Sequence, residues 1–367
     1  MNNAHSALFR PYETKWHSFP NRIAMAPMTR SQSPDGVPTK EVARYYRRRV
    51  EGGTPFIITE GTNVNHPPSN FDANIPRFYG EAALAGWKHV VDEVHAAGGF
   101  IVPQIWHVGM MRKQGTGHFP DAPSVGPSGL IRPGKQISEP MTQAEIDDVV
   151  QAFADAARDA KAVGFDGVEI HGAHGYLIDQ FFWEGTNQRT DGYGGSMLNR
   201  TRFAQEILRA VRKAVGPDFL VMFRFSQWKQ QDYEAKLAPT PQDLEAFLGV
   251  LVDAGADMLH ASTRRFWEPE FDGSTLNLAG WCKKLTGLPS MSVGSVGLDD
   301  EFMASMRGAS AGVADITRLV ECLEREEFDL IAVGRALLVD PDWANKIRDG
   351  RLSEVEPFVP EALGYLS

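Results

Sequence analysis

The chain has 367 residues, with 47 acidic against 37 basic side chains and a formal net charge of −10. That balance excludes a nucleic-acid binder, which needs a basic footprint. With 43% hydrophobic and 23% charged residues, the chain is neither disordered nor a coiled coil nor collagen-like, and its length allows either two domains or one α/β barrel with insertions.

The first residues, MNNAHSALF, carry no charged and apolar leader pattern, so no signal peptide is expected and a cytoplasmic protein is the natural reading. No window approaches ~18 apolar residues, so no membrane span is expected. Further along, short apolar runs recur at 22–27, 55–60, 100–106, 167–171, 219–224, 257–261, 289–294 and 328–334. Their near-continuous hydrophobicity suits parallel strands buried on both faces. Amphipathic stretches at 39–52, 84–97, 142–162, 199–215, 241–254 and 315–327 read as the intervening helices. Thr142 with Glu145 forms a capping box, and Gly98 with Gly99 ends the second helix. The basic run Arg44, Arg47, Arg48 and Arg49 reads as a solvated helix face. The alternation predicts a single (β/α)8 barrel over 1–367. Segment 107–141, rich in Gly and Pro, is too long for a routine connection and is expected to be a functional loop.

A barrel works at the C-terminal ends of its strands. Those ends carry Pro27, Met28 and Thr29; Glu60 and Gly61; Gln104 and Trp106; His171, His174 and Tyr176; Arg224; Gly294 and Ser295; and Gly334 and Arg335. Arg224 needs an anionic or strongly accepting partner, either a ligand or Glu169 or Glu60. Gly294, Ser295, Gly334 and Arg335 read as a phosphate clamp after the last two strands, where this fold often binds phosphate, or as two tight turns. His171 and His174 could ligate a metal, but no third ligand is evident and no metal is expected. Two neutral imidazoles could instead stabilise charge developing on one oxygen, and Tyr176 could serve as an acid. Cys282 and Cys322 stand 40 residues apart with no CxxC, too few for a zinc or iron–sulfur site. Asn199 opens a glycosylation sequon that is discounted without a secretion signal.

These residues resemble the Old Yellow Enzyme family of FMN-dependent ene-reductases. The resemblance rests on LFRP at 8–11, NRIAMAPMTR at 21–30, TEG at 59–61, QIWHVG at 104–109, GVEIHGAHGYLIDQF at 167–181, NQRTDGYGGS at 187–196, NRTRF at 199–203, Arg224 and FDLIAVGR at 328–335. It covers nearly the whole chain. It implies that Pro27, Met28, Thr29, Gly61, Gln104 and Arg224 surround the flavin ring, and that Gly294, Ser295, Gly334 and Arg335 hold its phosphate. It further implies that His171 and His174 bind a substrate carbonyl oxygen, that Tyr176 protonates the neighbouring carbon, and that Trp106 walls the pocket. The implied reaction reduces the activated C=C bond of an enone or enal, with NADPH or NADH as hydride donor, by a monomer or homodimer. Three positions depart from the pattern. Met110 stands where an arginine often follows His-Val-Gly, Ser295 where glycine or asparagine is usual, and 262–269 matches nothing recognisable, so that Phe266 and Trp267 either line the pocket or close the surface. A metal-dependent barrel hydrolase and a flavin-free phosphate-binding isomerase are the rival readings. An iron–sulfur dienoyl-CoA reductase is not expected, given the two distant cysteines and the 32 residues after Arg335.

Overall fold

Eight parallel strands close on themselves in the computed structural model, which describes residues 7–300 and 307–367; the first six residues, part of the stretch read for a leader, lie outside them. The strands are β1 (Ile23–Met25), β2 (Phe56–Asn63), β3 (Phe100–Trp106), β4 (Gly167–His174), β5 (Leu220–Lys229), β6 (Met258–Ser262), β7 (Ser290–Val293) and β8 (Leu330–Val333). Each pairs with the next, and β8 pairs with β1. All eight overlap the apolar runs, because a strand covered by helices outside and by side chains inside is mostly apolar, the polar residues gathering toward its C-terminal end.

The lower barrel is filled by side chains that include Phe56, Ile58, Phe100, Val102, Leu220, Met222, Met258 and Met291. A small hairpin, Tyr12–Glu13 with Ser18–Phe19, closes the N-terminal end. Its Phe19 stacks on Phe56 at 5.1 Å and meets Phe100 edge-on. Phe56 and Phe100 are the first residues of β2 and β3, so the plug seals that end and leaves the opposite mouth for chemistry.

The outer layer contains α1 (Lys40–Glu51), α2 (Glu81–Ala96), α3 (Gln143–Val163), α4 (Arg202–Val215), α5 (Pro241–Asp253), α6 (Leu278–Thr286) and α7 (Thr317–Glu324). The capping box at α3 is present in both directions: Thr142 Oγ1 accepts from Glu145 N, and Thr142 N donates to the Glu145 carboxylate at 2.7 Å. The stretch 199–215 is split, with Met197–Arg200 forming a short turn of helix before α4. The apolar pattern did not reveal α6, which is short and carries Lys283 and Lys284 in its last turn; Asn277 caps it by accepting from Gly280 N, and Gly287 ends it at φ +69°.

One expectation for α1 is corrected. Arg44 pairs with Glu41, and Arg47 with Glu51 and Glu93, at the surface. Arg49, however, is wholly buried. It lies on the face that α1 turns inward with Tyr45 and Tyr46, its guanidinium stacks 3.7 Å from the Tyr45 ring centre, and it donates to the carbonyls of Tyr45, Leu337, Leu338 and Ser367. Four main-chain oxygens and the Ser367 hydroxyl satisfy this cation.

Candidate active site

The segment after β3 is gathered around one buried cation. Arg112 is 1% exposed and donates to the carbonyls of Asn70, Thr116, Phe119 and Ala122. A hairpin, Leu130–Arg132 with Lys135–Gln136, lies farther along the same segment.

Within the mouth the strand register sets the site. Arg224 on β5 aligns with His171 on β4 and His260 on β6, and Gln104 on β3 aligns with Gly61 and Glu169. Glu169 accepts from Gln104 Nε2 at 2.8 Å and from His260 Nδ1 at 2.6 Å. Burial alone would raise its carboxyl, but His260, Arg224 and Gln104 together hold it below the usual carboxylate range. Glu169 is thus the buried anion of the site, and His260 is a neutral donor to it, its own basicity lowered by burial. Arg224 forms no ion pair among the described residues. Its Nη2 donates to Ser262 Oγ at 3.3 Å, and its buried Nε has no partner. Burial lowers it to about 10, so it remains a cation at neutral pH.

His171, His174 and Tyr176 are brought together by two consecutive left-handed residues, His174 at φ +65° and Gly175 at φ +78°. The positive φ of Gly175 is strained for any residue with a side chain, which favours glycine there, and an added carbon would also displace the end of Gln231. The His171 ring centre lies 5.1 Å from that of His174 and 5.3 Å from that of Tyr176. Burial, reinforced by Arg224, holds both imidazoles well below their ordinary basicity, so both are neutral. The buried Nδ1 of His171 has no partner. Tyr176 meets Trp106 edge-on at 4.8 Å, and burial raises its hydroxyl so that it keeps its proton. Trp106, Ile75 and Val108, with Phe71 and Tyr176 against them, form a separate apolar cluster.

Gly61 has a packing reason of its own, since a side chain there would stand 2.7 Å from the Trp106 ring. Pro27 and Met28 are half-buried and Thr29 is exposed on the turn after β1. At Gly334 an added carbon would be in ordinary contact, with Met28 Sδ nearest at 3.5 Å. Beside it, Gly294 lies at φ +152° and Ser295 at φ +49°. The left-handed backbone at 295 accounts for the glycine or asparagine usual in the pattern. Arg335 Nη2 lies 3.4 Å from Ser295 Oγ and donates to Asp300 O, so the four clamp residues do converge.

Sequence reasoning missed several parts of the site. Trp228 stacks on His174 at 4.6 Å and 26°, Ser262 bonds His174 Nε2, and a buried Lys229–Asp179 pair lies beneath the turn. Only Asp179, inside the block 167–181, carried a signal. Phe266 and Trp267 pack edge-to-face in the large outer core, away from the Trp106 cluster. No group of three or more His, Cys, Asp or Glu is placed to hold a metal among the described residues, and Cys282 and Cys322 are both buried as free thiols. No helix among those residues is long and apolar enough to cross a membrane.

The mouth fits a flavin on its own evidence. Arg224 keeps a buried guanidinium nitrogen without a partner, as a charge awaiting an anionic ring would, and Gly334 and Ser295, neither carrying a bulky side chain, stand beside Arg335 as a phosphate would need. The model for the NADH:flavin oxidoreductase / NADH oxidase family matches residues 7–354. An NADH oxidase from Thermoanaerobacter brockii is 34% identical over 94% of this chain, which spans about half (51%) of that protein. The 12-oxophytodienoate reductase 7 of Oryza sativa subsp. japonica is 32% identical over 93% of this chain and 87% of its own length. A solved structure of morphinone reductase in complex with tetrahydroNAD superposes with a TM-score of 0.80 at 30% identity, covering 97% of this chain and 93% of that one.

Barrel, mouth and relatives together define a flavin oxidoreductase that draws on reduced nicotinamide. Within that class the chain belongs to the Old Yellow Enzyme family.

Proposed function

We propose that this protein is an ene-reductase acting on α,β-unsaturated aldehydes and ketones, with residues 1–367 forming one FMN-binding unit that works in the cytoplasm as a monomer or homodimer. The observation that carries the reading is the convergence of two neutral imidazoles and a protonated phenol on one side of the mouth, with a cation at its centre. Enone reduction requires this set: donors for an oxygen that gains negative charge, and an acid for the carbon next to it.

When bound, FMN would supply two-electron chemistry, the transfer of hydride from reduced nicotinamide to the β carbon of the acceptor. The chain's own residues do the rest. Arg224 holds positive charge where a reduced, anionic ring is favoured. One amide hydrogen of Gln104 is committed to Glu169, which leaves its oxygen and its second N–H for the edge of the ring. Thr29 presents its hydroxyl from the turn after β1, and Pro27, Met28 and Gly61 present backbone. Gly294, Ser295, Gly334 and Arg335 receive the phosphate. His171 and His174 hold the acceptor's carbonyl oxygen against Trp106, and Tyr176 gives its proton to the α carbon. Either NADH or NADPH serves as donor in this reading.

The test is the absorption spectrum of the pure protein followed through one cycle. A flavin band should bleach with NADH or NADPH and return on adding 2-cyclohexenone. Tyr176→Phe should still bleach and should regain colour slowly. Rapid recovery in Tyr176→Phe would remove Tyr176 as the acid.

A further inference from the structure

Ser262, the last residue of β6, opens the 262–269 segment that matches no family pattern. It is 3% exposed, and its hydroxyl stands between two groups of the site. Arg224 Nη2 lies 3.3 Å away and His174 Nε2 lies 2.8 Å away. We propose that Ser262 is a positioning residue that fixes the tautomer of His174, so that His174 offers Nδ1–H as its single donor to the substrate oxygen. This inference rests on the ene-reductase reading for its consequence, though not for its geometry.

The assignment follows from counting hydrogens. A guanidinium can only donate, so Ser262 Oγ accepts from Arg224. The hydroxyl has one hydrogen, and its only acceptor among the described residues is His174 Nε2. If His174 Nε2 carried a proton, Ser262 would accept twice and leave its own hydrogen buried and unmatched, at a cost of about 1–3 kcal/mol. Donation from Ser262 to Nε2 matches Arg224 Nη2, the Ser262 hydroxyl and His174 Nε2 with one another and places the imidazole proton on Nδ1. The donation by Arg224 polarises the hydroxyl, which strengthens the next bond in the chain and makes Nδ1–H the better donor.

The surroundings hold the ring in that arrangement. Trp228 covers one face of His174, and its Nε1 donates to the carbonyl of Ser262 at 3.2 Å. His174 N donates to Ser226 Oγ at 3.0 Å, and Ser226 in turn donates to Trp228 O at 2.7 Å. Backbone, ring face and ring nitrogen of His174 are therefore set by β5 and β6, not by its own turn.

The experiment is long-range 1H–15N spectroscopy of the FMN-loaded protein labelled with 15N-histidine, with His174 assigned by its loss in His174→Gln. The expected wild-type spectrum has His174 protonated on Nδ1 and bare on Nε2. Ser262→Ala should move the signal toward Nε2–H and lower cyclohexenone turnover about tenfold, less than the 10²–10³ lost when a donor is deleted outright. Ser262→Thr, which keeps the hydroxyl, should restore both. A wild-type His174 protonated on Nε2, or a tautomer unchanged in Ser262→Ala, overturns the proposal. Should Ser262→Ala fail to fold, the wild-type and Ser262→Thr spectra still decide it. The tautomer is read with no acceptor present, so a protein that binds FMN but reduces no enone removes the ene-reductase reading alone.

Discussion

Lys229 Nζ lies 2.6 Å from Asp179 Oδ1, and both side chains are completely sealed from solvent. The other carboxylate oxygen, Asp179 Oδ2, accepts from Gly175 N at 2.7 Å, the residue between His174 and Tyr176. The ion pair thus ties the end of β5 to the turn that carries the proposed acid and oxygen donors. Burial raises the Asp179 carboxyl, and Lys229 opposes that shift.

Breaking this pair should be expensive, because the remaining partner is left as a bare buried charge. Asp179→Leu or Lys229→Met alone is expected to destabilise the fold by about 3–5 kcal/mol, while the double variant recovers much of that loss. Turnover should not recover with stability, because Gly175 N still lacks its acceptor. Urea unfolding and cyclohexenone assays on all three variants separate the effects; a double variant as active as wild type would show that the turn is held by something else.

Glu60 gives the fold a pH dependence of unusual sign. Its carboxylate accepts from Arg30 N and Ser31 N, yet burial raises it to about 7 from an ordinary 4.5. Between those values the folded chain keeps a proton that the unfolded chain has lost. Stability from this group is therefore greatest below pH 4.5, falls as pH rises through about 7, and stays lower above it. The full span is on the order of 3 kcal/mol at 1.36 kcal/mol per unit. Glu60→Gln should be more stable relative to wild type at pH 8 than at pH 5. Parallel urea midpoints for the two proteins from pH 5 to 8 would refute this.

The barrel was legible because eight buried strands leave eight apolar runs, and the mouth because chemistry-bearing residues stand directly after them. Other features depend on contacts across the sequence. Arg49 reads as one of four exposed arginines until helical phase turns it inward beside Tyr45. Ser262 and Trp228 look like ordinary strand-end residues, and only the β5–β6 register places them against His174. Gly61 was expected to matter through its backbone, and the packing adds a second reason, the Trp106 ring.

That second reason is testable. Gly61→Ala places a carbon 2.7 Å from the Trp106 ring, closer than real contacts allow, so the indole must shift. Trp106 packs on Tyr176 and Phe71, and the shift will reach the acceptor pocket. The expected outcome is a KM for cyclohexenone raised severalfold with FMN content retained, measured by steady-state kinetics on protein of known flavin stoichiometry. An unchanged KM would mean that Trp106 does not bound the acceptor pocket.

Arg112 offers a last test, and it bears on the arginine missing at position 110. Met110 is fully buried and packs tightly against Gly126, where an added side-chain carbon would come within 2.5 Å of Met110 Cγ. Two residues on, Arg112 gathers the carbonyls of Asn70, Thr116, Phe119 and Ala122, which no single point charge can reach in the same geometry. Arg112→Lys keeps the charge and loses the planar fork, so part of 113–122 should come loose. Asn70 precedes Phe71, which meets Trp106 edge-on at 6.0 Å, so the loosening should extend to the pocket wall. Faster tryptic cleavage after Lys113 and a raised KM for large acceptors are expected, with little change for small ones. If cleavage quickens while KM stays fixed for acceptors of every size, the segment is a cover without a part in recognition.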